Sequence, residues 1–504
     1  MVPSPFPMHG DGTERSKDID STASMQFRAP FSRQNSAGAG LVLLYADNYE
    51  QFRPAYPVLE RGSVLGRDPT ADVSVPTRSA SRHHARIERR GGVWRLIDLG
   101  GRNGTLCNGA FVTEAPIAHL DQVRVGDAIF KFVERDVESY ARYRIDGAYV
   151  EAPGSQEGPP SFSMGRIVGG YQTRTLARSL YEIARSELSV LIRGESGTGK
   201  EIFAQQLHDW SGRRGPFLAV NCAAIPAALV EGELFGHRRG AFSGADRDRA
   251  GILRAAHEGT LFLDEIGDMP AEAQAKLLRV IQSKEFTPLG GTQAERIDVR
   301  IVAATHRDLD KLQQTGAFRA DLFGRLNEHS VTLPPLRERK EDMFLLCTAL
   351  AARHGRSEIR PSMVSMTALL HHDFPYNVRE LEALLKRWAA ADRGAEFGIQ
   401  DLSDSIRDRM KTYGARGAAL ASPLAEDSRA TVYPQYDEEP AEDGAPPPGG
   451  PLPPRTSPEE SVLRDLLARH QGNVAAVARV LGRDRVQVHR WMRRYNLKAD
   501  TFRG

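Results

Sequence analysis

Gly194-Glu195-Ser196-Gly197-Thr198-Gly199-Lys200-Glu201, written GESGTGKE, follows the apolar run Ser189-Val190-Leu191-Ile192 and opens a helical pattern. Glycines leave backbone N–H groups free to curl around phosphates, and the helix that follows adds the positive end of its dipole. Lys200 is long enough to reach the β and γ phosphates, so ATP is the expected ligand. The general pattern has Ser or Thr after the lysine, a hydroxyl that helps to hold Mg²⁺; here Glu201 stands there. A second stretch completes the site. Gly259-Thr260-Leu261-Phe262-Leu263-Asp264-Glu265 reads as a buried strand ending in two carboxylates, at the strand tip where phosphates bind in α/β sheets. Asp264 suits Mg²⁺, and Glu265 suits polarising an attacking water.

Outward from this pair, apolar runs such as 189–192, 261–263 and 301–303 alternate with helical patterns between Gly165 and about Met410. That alternation predicts a mainly parallel α/β sheet. From Leu41 to about Glu134 the pattern is different: short β-rich runs between turn clusters, among them Gly91-Gly92, predict an all-β sandwich. Residues 1–38 are rich in Ser, Pro, Gly, Asp and Arg without periodicity, the composition of a disordered arm. Residues 137–165 read as a linker, and 412–456, acidic and Pro-rich, as a semi-extended tether. The last segment, 457–504, is helical and basic, with ten Lys or Arg against five Asp or Glu. The acidic tether hides this in the total: the whole chain has 67 Lys and Arg, 65 Asp and Glu and a formal charge of +2, so any nucleic-acid surface is local. Cys107, Cys222 and Cys347 lack paired spacing, which argues for a reducing compartment and against a disulfide framework or zinc site. With no signal-peptide core and no apolar run long enough to span a bilayer, the expected location is cytoplasmic, without membrane contact.

The central motifs taken together resemble the AAA+ domain of bacterial enhancer-binding proteins, the activators of sigma-54 RNA polymerase. The matching text is GESGTGKE, VNCAA, ELFGH, GAFSGA, GTLFLDEIGDM, RIVAATHRDL, FRADLFGRL, LPPLRER and NVREL, in the family's order over nearly half the chain. The family has Glu where Glu201 stands. The resemblance implies that Asn221 swings Glu265 in response to ligand, that Thr305 and His306 sense the γ-phosphate, and that Arg379 in a helical lid reports nucleotide state. Arg319 and Arg325 match the arginine fingers, which enter a neighbouring subunit's site, so dimers assembling into a homo-hexamer are implied. Tyr376 stands where the family usually has Gly.

Gly240-Ala241-Phe242-Ser243-Gly244-Ala245 matches the loop with which the family contacts the sigma factor. Small residues let such a loop change shape, Phe242 supplies one apolar anchor and the neighbouring hydroxyl one hydrogen bond. The hydroxyl belongs to Ser243 where the family has Thr, and Arg238 stands where the family usually has Glu, a residue taken to tie the loop down.

Gly66-Arg67, Ser81-Arg82-His83-His84, the run from Asp98 to Thr105, and Gly126-Asp127 resemble a forkhead-associated (FHA) domain, over 39–136. Such domains bind phosphothreonine; by position Arg67 and Ser81 contact the phosphate, Asn103 holds the peptide backbone and His84 braces the loop. Gly101 stands where the family often has Ser. No receiver-type domain precedes the ATPase, so a Ser/Thr kinase or a phosphothreonine protein is the expected input, with Thr13 or Thr22 of the arm as a competing ligand. Residues 457–504 resemble a Fis-type helix-turn-helix. Arg485, Gln487 and Arg490 suit the major-groove edges of double-stranded enhancer DNA, and Arg493 and Arg494 its phosphates.

The expected protein is multidomain: an arm, an FHA sandwich, a linker, an AAA+ ATPase with lid over 166–411, a tether and a DNA-binding domain. Its expected work is ATP-driven remodelling of sigma-54 RNA polymerase under phosphothreonine control. A DNA-binding AAA+ regulator or repressor that does not remodel sigma-54 stays open, favoured by Ser243 and Arg238; a phosphopeptide-dependent scaffold ranks last.

Overall fold

The structure, a computed structural model, describes residues 38–151, 162–241, 245–391 and 394–415, together with single positions between 463 and 497. The chain divides into two units, Met1–Ser428 and Arg429–Gly504.

The β-rich region forms two sheets. One has six strands, with Gly40–Tyr45 between Ala55–Pro57 and Ala128–Val133, followed by Gln122–Val125, Thr105–Cys107 and Ala110–Val112. The other has five, in the order Val73–Ser74, Ser63–Gly66, Ala85–Arg90, Val93–Asp98 and Glu114–Ile117. Leu41, Leu65, Ile87, Leu96, Val123 and Phe130 are buried among the inward residues of both sheets, as a sandwich requires.

The α/β region has a five-stranded sheet in the order Phe217–Asn221, Thr260–Asp264, Arg300–Thr305, Val190–Arg193 and His329–Thr332, every pair parallel. Its three central strands are buried almost throughout and read as apolar runs, as expected where helices cover both faces of a sheet. Arg300 is fully buried in this sheet; its guanidinium donates to the carbonyls of Ile183, Ala184 and Leu188 just past the helix Tyr171–Glu182. A helical region follows, with Met343–Arg353, Met363–His371, Asn377–Ala390 and Asp404–Met410.

One hydrophobic cluster runs without a break from the β sandwich into these helices, joining Leu41, Phe130 and Ile145 to Leu336, Met343, Leu381 and Trp388. The connection expected to be a linker takes part in it. Over its described residues, Val137–Tyr140 is a helical turn, Val137, Tyr140 and Ile145 are buried, and Tyr140 packs edge-on against Tyr171. Three buried apolar side chains in fifteen residues are enough to dock it. Residues 412–415, placed with the tether on composition, also pack: Gly414 N–H donates to Gly109 O at 2.7 Å, and Arg124 stacks on the Tyr413 ring.

In the second unit, Leu463, Leu467, Val477, Val488 and Met492 form a small apolar core with Leu497. The candidate DNA-reading residues Arg485, Gln487, Arg490, Arg493 and Arg494 lie outside the described residues, as do the arm with Thr13 and Thr22 and most of the tether. No helix among the described residues is long and apolar enough to cross a membrane.

Candidate functional site

The phosphate-binding stretch leaves the strand Val190–Arg193 and enters the helix Lys200–Ser211. Gly194, Gly197 and Gly199 have φ of 153°, 80° and 103°, a path closed to most side chains. Gly197 meets a second limit: a Cβ there would lie 2.2 Å from the Tyr376 carbonyl. Lys200 is buried and donates to the carbonyls of Gly194 and Glu195 at 2.9 and 3.3 Å, while its Nζ lies 3.9 Å from a Glu265 oxygen. Asp264 ends the parallel strand Thr260–Asp264, separated from Val190–Arg193 by Arg300–Thr305, and Glu265, at φ 52°, turns the chain in the left-handed region. Burial first, and then the charge of Glu265, raise the Asp264 carboxyl above its usual range, with Lys200 opposing. Two carboxylates crowded at one strand tip, with a lysine at its edge, are a donor set that fits a hard divalent cation such as Mg²⁺.

His306 takes the other Glu265 oxygen, with its Nδ1 at 2.7 Å and its backbone N–H at 3.3 Å. Thr305 is fully buried and its hydroxyl accepts from Arg307 N–H, so His306, half-exposed, is the member of that pair on the open side. Asn221 pairs in register with Asp264 on the adjacent strand, but its side-chain oxygen accepts from Ala223 and Ala224 N–H. It shapes its own turn, and Glu265 rests on His306 instead. The hydroxyl of Thr198 likewise stays within the loop, on Glu195 O at 2.8 Å, and Glu201 is exposed on the first turn of the helix.

The far side of the loop carries residues that the motif reading quoted without assigning. Arg337 forms a two-pronged ion pair with Glu195, at 2.6 and 2.9 Å, and this hydrogen-bonded guanidinium holds the carboxyl below its ordinary range. Asn377, fully buried at φ 53°, donates to Glu195 and to the Ser196 carbonyl while accepting from Leu336 N–H. Arg379 donates to the Ser196 hydroxyl at 3.0 Å, so the lid arginine does reach the phosphate loop. Arg339, buried, donates to Thr198 O at 2.7 Å. The repeated arginines of LPPLRER were the available signal. Tyr376 has an ordinary φ of −106° and is 63% exposed, and the positive φ angles fall on Phe374 and Asn377. The missing glycine therefore strains nothing.

Arg319 is exposed and paired with Asp321 at 2.7 Å, and Arg325, also exposed on the helix Ala320–Leu326, has no partner among the described residues. Neither bonds to the chain's own phosphate loop. Within the candidate sigma-contact loop, Phe242, Ser243 and Gly244 lie outside the described residues. Its stem is a two-stranded hairpin, Gly236–His237 with Arg249–Ala250, closed by Gly240 N–H on Ala245 O at 2.8 Å, with Ala241 following Gly240. Arg238 pairs with Asp248 at 2.7 Å and lies 3.7 Å from Glu295, so the reversed charge finds acidic partners beside the stem.

In the β sandwich, Arg67, Ser81 and Asn103 come together at one end. Arg67 N–H donates to Ser81 O, the Ser81 hydroxyl accepts from Arg102 N–H at 3.2 Å, and Asn103 donates to Ser79 O at 2.7 Å. The Arg67 side chain is exposed. His84 is fully buried, accepting from Ser81 N–H and lying 3.0 Å from Gly104 O, which is the bracing position expected of it. A Cβ on Gly101 would lie 2.8 Å from the His84 ring, so the glycine is what lets this histidine stand under the loop.

Four family models match the chain in sequence order: an FHA domain over 63–126, a sigma-54 interaction domain over 168–332, an AAA+ ATPase lid domain over 337–418 and a bacterial regulatory protein of the Fis family over 458–495. The transcriptional regulatory protein GlrR of Escherichia coli K12 is 38% identical over 384 residues, covering 74% of this chain and 78% of the relative. The DNA-binding transcriptional regulator NtrC of Bradyrhizobium is 42% identical over 328 residues, covering 64% and 68%. A crystal structure of NtrX from Brucella abortus in complex with ATP is 26% identical with a TM-score of 0.44, over 66% of this chain and 70% of that one. The site is thus the nucleotide-binding centre of an AAA+ domain, and the chain belongs to the sigma-54-dependent bacterial transcriptional regulators, with an FHA domain before its AAA+ domain and a Fis-type helix-turn-helix after it.

Proposed function

We propose that this regulator hydrolyses ATP in a homo-hexameric ring and uses the cycle to remodel sigma-54 RNA polymerase at promoters near its DNA site. The observation that carries this reading is the meeting of Lys200, Asp264, Glu265 and His306 at the tip of the parallel sheet. Lys200 binds the β and γ phosphates. Asp264 would hold Mg²⁺, which when bound neutralises charge on the phosphate oxygens. Glu265 leaves His306 and orients water for in-line attack, accepting its proton as the bond from water to the γ-phosphorus forms and the bond to the β-bridging oxygen breaks, with ADP as the leaving group. Arg319 and Arg325, unengaged with their own phosphate loop, offset the developing γ-phosphoryl charge of the neighbouring subunit. Closure of Arg379 on the loop couples nucleotide state to the lid, and Phe242 and Ser243 carry the motion to sigma-54. Arg67, Ser81 and Asn103 bind a phosphothreonine, whose dianion suits a guanidinium and neutral donors. Arg485, Gln487, Arg490, Arg493 and Arg494 hold enhancer DNA in the cytoplasm.

The test is to trap the purified protein with ADP and a metal fluoride and measure complex formation with sigma-54. A stable complex lost in Phe242→Ala supports the reading. ATP hydrolysis without any complex moves the protein to the second reading, a DNA-binding AAA+ regulator that does not remodel sigma-54.

A further inference from the structure

Lys131 lies on the strand Ala128–Val133, in the FHA sandwich, yet its ammonium is almost fully buried. It faces three groups. Its Nζ lies 2.6 Å from an oxygen of Glu341, 4.4 Å from the centre of the Tyr140 ring and 3.4 Å from the Tyr140 hydroxyl. Glu341 belongs to the AAA+ chain segment 337–342, some two hundred residues away in sequence. Its second oxygen accepts from Gln172, so both are occupied. The next residue, Asp342, is fully buried, accepting from Gly170 N–H at 2.6 Å and from the Thr173 hydroxyl, with Arg339 at 3.5 Å.

The same six-residue segment reaches the phosphate loop from its other side. Arg337 holds Glu195 in a two-pronged ion pair, and Arg339 donates to the Thr198 carbonyl. Residues 340–342 make a single tight helical turn, which leaves little slack between the two ends. Side chains 337 and 339 therefore grip the nucleotide loop while side chain 341 is gripped by the FHA domain. A buried ammonium and carboxylate hold each other strongly because neither has water as an alternative partner.

We propose that Lys131 is a positioning residue of the ATP site: through Glu341 it sets the segment Arg337–Asp342, and with it the shape of the phosphate loop. The FHA domain is then a wall of the ATPase, and any ligand that shifts the FHA strand Ala128–Val133 changes nucleotide affinity, with nucleotide shifting the FHA site in return. The inference rests on the nucleotide reading above.

The experiment is calorimetric titration of the full chain with ADP, alongside thermal melts and ATPase kinetics. The key variant is Lys131→Met with Glu341→Leu, which replaces the buried pair by apolar groups of similar size and is expected to keep the melting temperature. It is expected to bind ADP about fivefold more weakly, with KM for ATP raised similarly and kcat unchanged, since Lys131 touches no reacting atom. Wild-type ADP affinity and KM in this variant overturn the proposal and leave the pair a purely structural seam. If the paired variant does not fold, Glu341→Gln, which keeps the shape of the side chain, is read in the same way. Absence of ADP binding in the wild type itself overturns the nucleotide reading, and this inference with it.

Discussion

Two ion pairs hold the two working ends of the AAA+ domain, and they differ in nearly everything except chemistry. Lys131 and Glu341, between the FHA domain and the segment beside the ATP site, have side chains 2% and 6% exposed. Arg238 and Asp248, across the stem of the candidate sigma-contact loop, are 50% and 55% exposed. Water competes for the second pair and not for the first, so the stem can open at little cost while the seam stays closed. The apolar setting reinforces the contrast. Around the seam one core spans sandwich and lid helices, whereas the hairpin that carries the loop has two residues per strand and is laced by charges, Arg249 with Glu233 and Arg254 with Glu295. The proposed cycle, in which one loop moves against a partner while the FHA domain stays in register with the ATP site, uses both arrangements.

The largest effect should come from removing one member of the buried pair. Lys131→Ala leaves the Glu341 carboxylate buried beside Gln172 alone, and a loss of about 3–5 kcal/mol is expected, visible in chemical denaturation followed at both the sandwich and the AAA+ tryptophans. A transition in which the sandwich melts separately, with the AAA+ domain unaffected, would break the picture of a single seam. Next, Gly101→Ser places a side chain against the buried His84 ring and should cost about 1–3 kcal/mol, along with phosphothreonine-peptide binding, measured by fluorescence anisotropy.

Tyr45→Phe removes the hydroxyl that donates to Pro361 O across the seam at 2.7 Å. About 1 kcal/mol is expected, because one net hydrogen bond goes and the ring packing against Phe344 stays. Arg337→Ala opens the partly exposed pair with Glu195; after allowance for solvent screening, about 0.5–1 kcal/mol is expected. Its pH dependence has a definite sign. The Glu195 carboxyl is held below its unfolded value, so the stabilisation is present above the ordinary glutamate range and is lost as pH falls through the lowered folded value. The stability gap between wild type and Arg337→Ala should therefore close on acidification below about pH 4.3. The smallest effect is expected at Arg238→Ala: an unchanged melting temperature, with a change confined to the nucleotide dependence of sigma-54 binding. A clear drop in melting temperature there would put the stem in the same class as the seam.

Much of the site could be read from the chain because its chemistry is local. A phosphate loop needs glycines in consecutive special conformations followed by a lysine, and a metal-holding strand needs apolar residues followed by acids, so contiguous residues carry both signals. Asn221 shows the limit. The motif implies that it acts on Glu265, but whether its amide turns to Glu265 or to its own turn depends on competition among neighbours, and His306 holds Glu265 instead. Gly101 and Tyr376 are similar. Both are departures from the family's usual residues, and three-dimensional packing makes the first a requirement of His84 and the second harmless.

By itself, then, the sequence determined the order of the domains, the parallel sheet and the residues of the phosphate loop and acid pair, since periodicity and short motifs are properties of neighbouring residues. Only the tertiary structure decided that the connection after the sandwich is packed, that Arg337, Arg339 and Asn377 brace the phosphate loop, and that Lys131 finds its counter-charge at Glu341. A lysine in a strand looks like a solvated side chain until the surface that buries it arrives from two hundred residues away, and that arrival is set by the burial of a shared apolar core.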